Sequence, residues 1–103
     1  MHLCSQYDMI IVSVDARGSG CQGTAYRYSC YRRLGIDNEE DYTAFIKDTV
    51  SNWEFVDPER IMIYGWSFGG YITLRTISMT ADTPFKFAIS VAPVTDWFVL
   101  LPS

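Results

Sequence analysis

The chain has 103 residues, of which 49% are hydrophobic and 19% charged, and its formal net charge is −4. This length allows one small domain, and so apolar a composition excludes a disordered chain. The negative charge argues against nucleic acid and anionic membranes as partners, and no apolar run reaches the ~18 residues that a membrane-spanning helix requires.

Residues 9–14 are a near-continuous run of apolar and β-branched side chains. Such a run is typical of a parallel strand that is buried on both faces. A long loop is expected to follow, up to Asp37. Within this loop, residues 24–34 fit either a short helix or a strand, because Tyr26, Tyr28 and Cys30 alternate along the chain. Both alternatives stay open.

The clearest predicted helix follows Asp37. Its apolar stripe repeats at three- and four-residue steps and consists of Tyr42, Phe45, Ile46, Thr49, Val50 and Trp53. We expect Asp37 or Asn38 to cap this helix, and the acidic residues 39–41 suit the positive end of its dipole. Arg27, Arg32 and Arg33 cluster just before these acids, which indicates a solvated or salt-bridged cluster rather than a phosphate site.

The second half of the chain repeats the strand–helix alternation. A turn at residues 57–59 precedes a predicted strand at 61–64, a helix-compatible stretch covers 71–77, and a loop at 81–84 leads to a third strand at 87–92. The order β, α, β, α, β predicts an α/β fold with three parallel strands joined by right-handed crossover helices.

Ser67 lies between the second strand and the following helix, in the motif Gly65-Trp66-Ser67-Phe68-Gly69-Gly70. This G-x-S-x-G pattern is typical of a nucleophile elbow, in which a strained turn exposes the serine. Side chains two residues before and two after the serine are expected to collide, and Gly65 and Gly69 avoid that. Gly70 is expected to let the helix pack closely, and the N–H of Phe68 is expected to face a developing oxyanion.

Four ordered stretches resemble the catalytic domain of the prolyl oligopeptidase family of serine peptidases, and its dipeptidyl peptidase IV branch in particular. They are residues 14–20 (VDARGSG), 32–35 (RRLG), 65–71 (GWSFGGY), and 91–94 (VAPV) with Trp97. A complete α/β-hydrolase domain needs about twice this length. The resemblance therefore implies that residues 1–103 are a fragment of a peptidase catalytic domain with a partial α/β-hydrolase fold.

The resemblance also implies a function and its residues. Ser67 would form an acyl-enzyme, the N–H of Phe68 would hold the oxyanion, and the enzyme would release N-terminal dipeptides after proline or alanine from a peptide substrate. The small apolar pocket for that residue would be lined by Phe68, Val94 and Trp97. Residues 98–103 depart from the tyrosine-rich stretch that finishes this pocket in the family.

Other parts of the family's machinery are expected outside the chain. The resemblance implies that the triad acid and histidine follow residue 103 and that the second oxyanion donor, a tyrosine, precedes residue 1. His2, the one histidine, is expected to be exposed, Asp82 to be a loop residue, and Asp96 is a weak candidate for the acid. The chain alone is therefore expected to be inactive. A strand from earlier in the family's chain would lie between the strands at 9–14 and 61–64.

The resemblance further implies a homodimer for the full-length protein, and a cell-surface or extracellular location, with the cytosol as the alternative. The N-terminus lacks the basic start and apolar centre of a signal peptide. No cofactor is expected. Cys4, Cys21 and Cys30 lack C-x-x-C spacing, so no metal site is expected either.

Three alternatives stay open. Residues 18–23 match G-x-G-x-x-G, which is a weak dinucleotide-binding pattern because three residues separate it from the preceding strand. The chain could also be a non-catalytic interaction fragment of the same family. It could finally belong to another α/β-hydrolase, such as an esterase, that shares only the elbow.

Overall fold

The computed structural model of the chain describes residues 2–79 and 81–97, and for residue 2 the backbone only. In chain order the elements are α1 (His2–Tyr7), α2 (Thr24–Tyr28), α3 (Ile36–Asn52), β1 (Met62–Trp66), α4 (Phe68–Met79) and β2 (Phe87–Val91). The short helix α1 was not predicted. For residues 24–34 the structure supports the short helix and not the strand, because residues 24–28 form α2. Gly23, with φ 89°, forms the turn that precedes this helix.

The sheet of the described residues has two parallel strands. Met62 lies opposite Phe87, and Trp66 lies opposite Val91. Helix α4 connects the strands and packs against both of them. The predicted second strand, elbow helix and third strand are therefore present, with boundaries that differ by a few residues.

The prediction of a first strand at residues 9–14, which would have given a three-stranded sheet, is wrong for the described structure. The segment forms no strand, because a groove of about 280 Å³ separates it from β1. Val12, Ser13 and Val14 line this groove together with residues 62–64. A strand is defined by hydrogen bonds to a neighbouring backbone, so β propensity alone cannot produce one. The groove lies where the resemblance implies an intervening strand.

Helix α3 begins at Ile36, earlier than predicted. Gly35 precedes it with φ 87°, a left-handed conformation that favours glycine. Asp37 and Asn38 are buried in the first turn, so the prediction that one of them is the N-cap residue is wrong. The amide oxygen of Asn38 accepts a hydrogen bond from the N–H of Gly35 at 3.2 Å. The carboxylate of Asp37 is instead bound by Arg33, whose Nε lies 2.7 Å from it.

Arg17 ties the loop after residue 14 to helix α3. Its Nε donates to both carboxylate oxygens of Asp41, at 2.9 and 3.0 Å, and its backbone N–H donates to the same group at 2.8 Å. Burial pushes the pKa of Asp41 upward, but these hydrogen bonds outweigh burial, and the pKa lies below its usual value. The side-chain amide of Asn38 donates to the carbonyl oxygen of Arg17 at 2.8 Å and closes the junction.

The two faces of the sheet differ in what covers them. Helix α4 covers one face and buries Ile72, Thr73 and Thr76. The opposite face carries large exposed side chains, namely Met62, Tyr64, Trp66, Phe87 and Ile89. Alternate residues of a strand point to opposite faces, so these five side chains form one apolar surface.

Candidate active site

Ser67 occupies the single-residue turn between β1 and α4. Its φ of 55° lies in the left-handed region, which is rare for a residue other than glycine. Its N–H donates to the carbonyl oxygen of Val91 at 2.9 Å, and its own carbonyl oxygen accepts from the N–H groups of Tyr71 and Val94. The residue is exposed. A strained backbone held by three hydrogen bonds therefore presents the Ser67 hydroxyl to solvent.

The three glycines around Ser67 differ in how tightly they are enclosed. A Cβ at Gly65 would collide with the carbonyl group of Gly69 and would lie 2.6 Å from Oγ1 of Thr73. A Cβ at Gly70 would lie 3.0 Å from the carbonyl oxygen of Val91. A Cβ at Gly69 meets nothing within 4 Å among the described residues, so the predicted collision does not occur there. The elbow and its packing on β2 therefore depend on positions 65 and 70.

Phe68 is the first residue of α4, so its N–H has no acceptor within the helix. The same helix end carries the positive pole of the helix dipole. An oxyanion formed on a substrate at Ser67 is stabilised by an N–H donor and a positive partial charge of this kind. The described site thus contains an exposed serine and an adjacent N–H donor at a helix N-terminus, on one turn.

Aromatic side chains form the wall beside this turn. The ring centroids of Phe68 and Trp97 are 6.2 Å apart, and those of Tyr71 and Trp97 are 5.3 Å apart. Both pairs pack edge to face, a favourable arrangement for aromatic rings. Val94 is half-buried and is linked to Ser67 through its N–H, at 3.3 Å. The structure therefore brings Phe68, Val94 and Trp97 to the same end of the sheet as Ser67.

Tyr71 is a member of this wall to which the sequence reasoning gave no role. Its ring lies over Gly35, where a Cβ would come within 2.7 Å of the ring carbon Cε1. It follows Phe68 by three residues on α4, and that helical spacing is the signal that could have found it. Tyr71 thus links the aromatic wall to the start of α3.

The remaining sequence candidates are Asp82, Asp96, His2 and residues 98–103. The carboxylate of Asp82 accepts a hydrogen bond from Nζ of Lys47 at 3.0 Å, and Asp96 is exposed. The side chain of His2 and residues 98–103 lie outside the described residues. In the described part of the chain, no cluster of histidine, cysteine, aspartate and glutamate side chains could hold a metal ion. Nor is any described helix both long and apolar enough to cross a membrane.

Comparison with known proteins agrees with this geometry. The dipeptidyl aminopeptidase B of Saccharomyces cerevisiae is 43% identical over 101 residues, which cover 92% of this chain and 12% of the yeast protein. Proteins named probable dipeptidyl-aminopeptidase B from Metarhizium robertsii and Fusarium vanettenii are 38% and 39% identical over 93% and 85% of the chain, and 10% of each relative is covered. The chain therefore spans only about a tenth of the length of these relatives.

The family comparison covers nearly the entire sequence. Residues 1–100 match the prolyl oligopeptidase family. This match includes the loop at residues 18–23, so the dinucleotide-binding alternative is not retained. The elbow at Ser67, the crossover helix α4 and the parallel strands on either side of it are what an α/β-hydrolase of this kind requires. The chain belongs to the prolyl oligopeptidase family of serine peptidases.

Proposed function

We propose that the chain is part of the catalytic domain of a serine exopeptidase that removes N-terminal dipeptides from peptides after proline or alanine. The observation that carries this proposal is the Ser67 turn, with its left-handed backbone, its exposed hydroxyl and the adjacent N–H of Phe68. Relatives named dipeptidyl aminopeptidase B support the choice of a dipeptide-releasing enzyme.

In this mechanism the Oγ of Ser67 attacks the carbonyl carbon of the scissile peptide bond and forms an acyl-enzyme. The N–H of Phe68 stabilises the oxygen that becomes negative in the tetrahedral intermediate. A histidine takes the serine proton and passes it to the leaving amine, and an acid orients that histidine. In the proposed mechanism both of these residues follow Ser67 in the sequence, in the order typical of α/β-hydrolases.

The proposed substrate pocket follows from the aromatic wall. Phe68, Val94 and Trp97 offer apolar surfaces beside Ser67, which suit the apolar ring of proline or the methyl group of alanine. Phe68 replaces the tyrosine that the family usually has at this position. The ring is kept, and one hydroxyl is lost.

A chimera tests the proposal directly. Residues 1–100 replace the matching segment of the yeast relative, and hydrolysis of an Ala-Pro reporter is measured beside a Ser67→Ala version of the same chimera. We expect hydrolysis that is lost with Ser67. A chimera that accumulates and folds but leaves the reporter intact, with or without Ser67, would contradict the proposal.

The same chimera separates the two alternatives. A second assay with a simple acetyl ester reports esterase activity, which does not require the proline pocket. Ester hydrolysis without Ala-Pro hydrolysis would favour an esterase. The exposed sheet face formed by Met62, Tyr64, Trp66, Phe87 and Ile89 is what favours a non-catalytic interaction fragment. Under that alternative neither substrate is turned over.

A further inference from the structure

The basic side chains of the chain differ in whether they form ion pairs with carboxylates. Of its eight lysines and arginines, the following form ion pairs with carboxylates of the described residues: Arg17, Arg33, Lys47, Arg60, Arg75 and Lys86. Arg27 and Arg32 form no ion pair in the described part of the chain. Both of them line the same cavity, which has a volume of about 540 Å³. The two cations without a carboxylate partner therefore share one site.

The lining of this cavity suits an anion. None of the residues that line it is acidic, and the tyrosines Tyr28 and Tyr31 stand beside the arginines. Both tyrosines are exposed, at 63% and 71%, so a ligand can reach them. Arg32 lies 5.4 Å from the centroid of the Tyr31 ring, which orients its guanidinium. Arginine with tyrosine offers planar donors and hydroxyl donors to a carboxylate.

The cavity is next to the candidate active site. Phe68 lines it, and the same residue follows Ser67 and belongs to the aromatic wall of the proposed substrate pocket. A peptide held at that wall therefore places its neighbouring residues near Arg27 and Arg32. Arg32 has a φ of 62°, a costly conformation for a residue other than glycine, and strain of this kind is concentrated at functional sites.

We propose that Arg27 and Arg32 form a subsite that binds an acidic side chain of the peptide substrate, next to the residue held by Phe68. This inference rests on the proposed function, because the ligand is a peptide bound at the Ser67 turn. The subsite gives the enzyme a preference among peptides that all contain proline or alanine at the cleavage position. The net charge of −4 repels an acidic peptide at long range. A preference for acidic peptides would therefore come from the local site and not from the charge of the whole chain.

Binding of labelled peptides to the Ser67→Ala version of the chimera with the yeast relative, which lacks the nucleophile and leaves the peptides intact, tests the subsite. The peptides are Gly-Pro-Glu-Glu-Glu, Gly-Pro-Gln-Gln-Gln and Gly-Gly-Gln-Gln-Gln, and dissociation constants are compared at low salt. We expect the glutamate peptide to bind about three- to tenfold more tightly than its glutamine counterpart, which is the range of two exposed ion pairs. The preference should shrink in 0.5 M salt.

Variants assign the preference to the two arginines. Arg27→Gln with Arg32→Gln should abolish it, and Arg27→Lys should keep most of it. The control is Arg60→Gln with Lys86→Gln, which removes two charges from another surface and should leave the preference intact. Equal binding of the first two peptides, or a preference that survives in the Arg27/Arg32 variant, would overturn the subsite. Equal binding of the Gly-Pro and Gly-Gly glutamine peptides counts against the proposed function instead.

Discussion

The N–H of Ser67 donates to the carbonyl oxygen of Val91 at 2.9 Å, and this bond fastens the nucleophile turn to the last residue of β2. The two strands are parallel and in register from Met62 to Trp66, so the elbow and the end of β2 meet at the carboxyl edge of the sheet. Ligands of parallel α/β sheets bind at this edge. The location of the proposed site thus follows from the pairing of the two strands.

The glycines of the elbow give a matched pair of substitutions. Gly65→Ala should disrupt the β1–α4 turn, because its Cβ collides with the backbone of Gly69, and overpacking of this kind typically costs about 1–3 kcal/mol. Gly69→Ala should be tolerated, because its Cβ position is open and alanine favours a helix by about 1 kcal/mol. Hydrogen exchange of the α4 amides measures both effects. Equal loss of protection in the two variants would refute this reading of the turn.

The isolated chain should be aggregation-prone or partly molten. Its sheet exposes one apolar face, and the groove between residues 12–14 and β1 leaves strand edges unpaired. Small domains keep only about 5–15 kcal/mol of net stability, so an incomplete core removes much of it. Light scattering, dye binding and thermal unfolding measure this state. A monodisperse monomer with a sharp cooperative transition would show that the prediction is wrong.

The purified 103-residue chain should not hydrolyse Gly-Pro or Ala-Pro reporters. Its one histidine, His2, precedes Ser67, whereas the hydrolase order places the base after the serine. In subtilisin, loss of the histidine alone costs on the order of 10⁶ in turnover, and one missing oxyanion donor costs about 10²–10³. Labelling by a fluorophosphonate should match that of Ser67→Ala. Labelling that exceeds this control would reveal a base, and His2 and Asp96 are then the first residues to substitute.

The Arg17 junction should loosen in acid. The pKa of Asp41 is lower in the folded chain than the value of about 3.9 in an unfolded chain. A lowered carboxylate pKa contributes stability that is present above the unfolded pKa and is lost as the pH falls through the folded value. Hydrogen-exchange protection of the Arg17 amide should therefore fall as the pH drops below about 4.

A substitution of Arg17 provides the control for this pH dependence. In Arg17→Met the burial of Asp41 remains but the side-chain hydrogen bonds are lost, so the pKa of Asp41 should rise. Carbon NMR of the carboxyl group follows the titration in both proteins. An unchanged titration midpoint would mean that Arg17 does not control this carboxylate.

Local patterns predicted the elbow and its flanking elements well. The apolar run before Ser67 and the glycines after it are sequence-local, so β1, α4 and β2 could be located within a few residues. The start of α3 could not be located from local patterns. Gly35 precedes the helix with a left-handed backbone, and the carboxylate of Asp37 accepts a hydrogen bond from Arg33 instead of capping the helix. Capping preferences depend on residue type alone, so they do not reveal that a side chain such as Arg33 competes with the helix N–H groups for a carboxylate.

Long-range pairings account for the other differences. Residues 9–14 have strand propensity, but a strand requires a neighbouring backbone, and no local pattern reveals a groove at that position. The contact between Arg17 and Asp41 joins residues 24 positions apart, so its geometry could not be predicted either. The spacing of Phe68 and Tyr71 on α4 is a local signal, but the contact between Tyr71 and Trp97 joins distant residues and has none.

The carbonyl oxygen of Ser67 accepts hydrogen bonds from two N–H groups, those of Tyr71 and Val94. Val94 belongs to the proposed pocket wall, so the Ser67 carbonyl oxygen connects that wall to the Ser67 turn. A change in the size of residue 94 that shifts its backbone also tilts the serine. Under the proposed function, substitutions at residue 94 that widen the substrate range should therefore alter kcat together with KM.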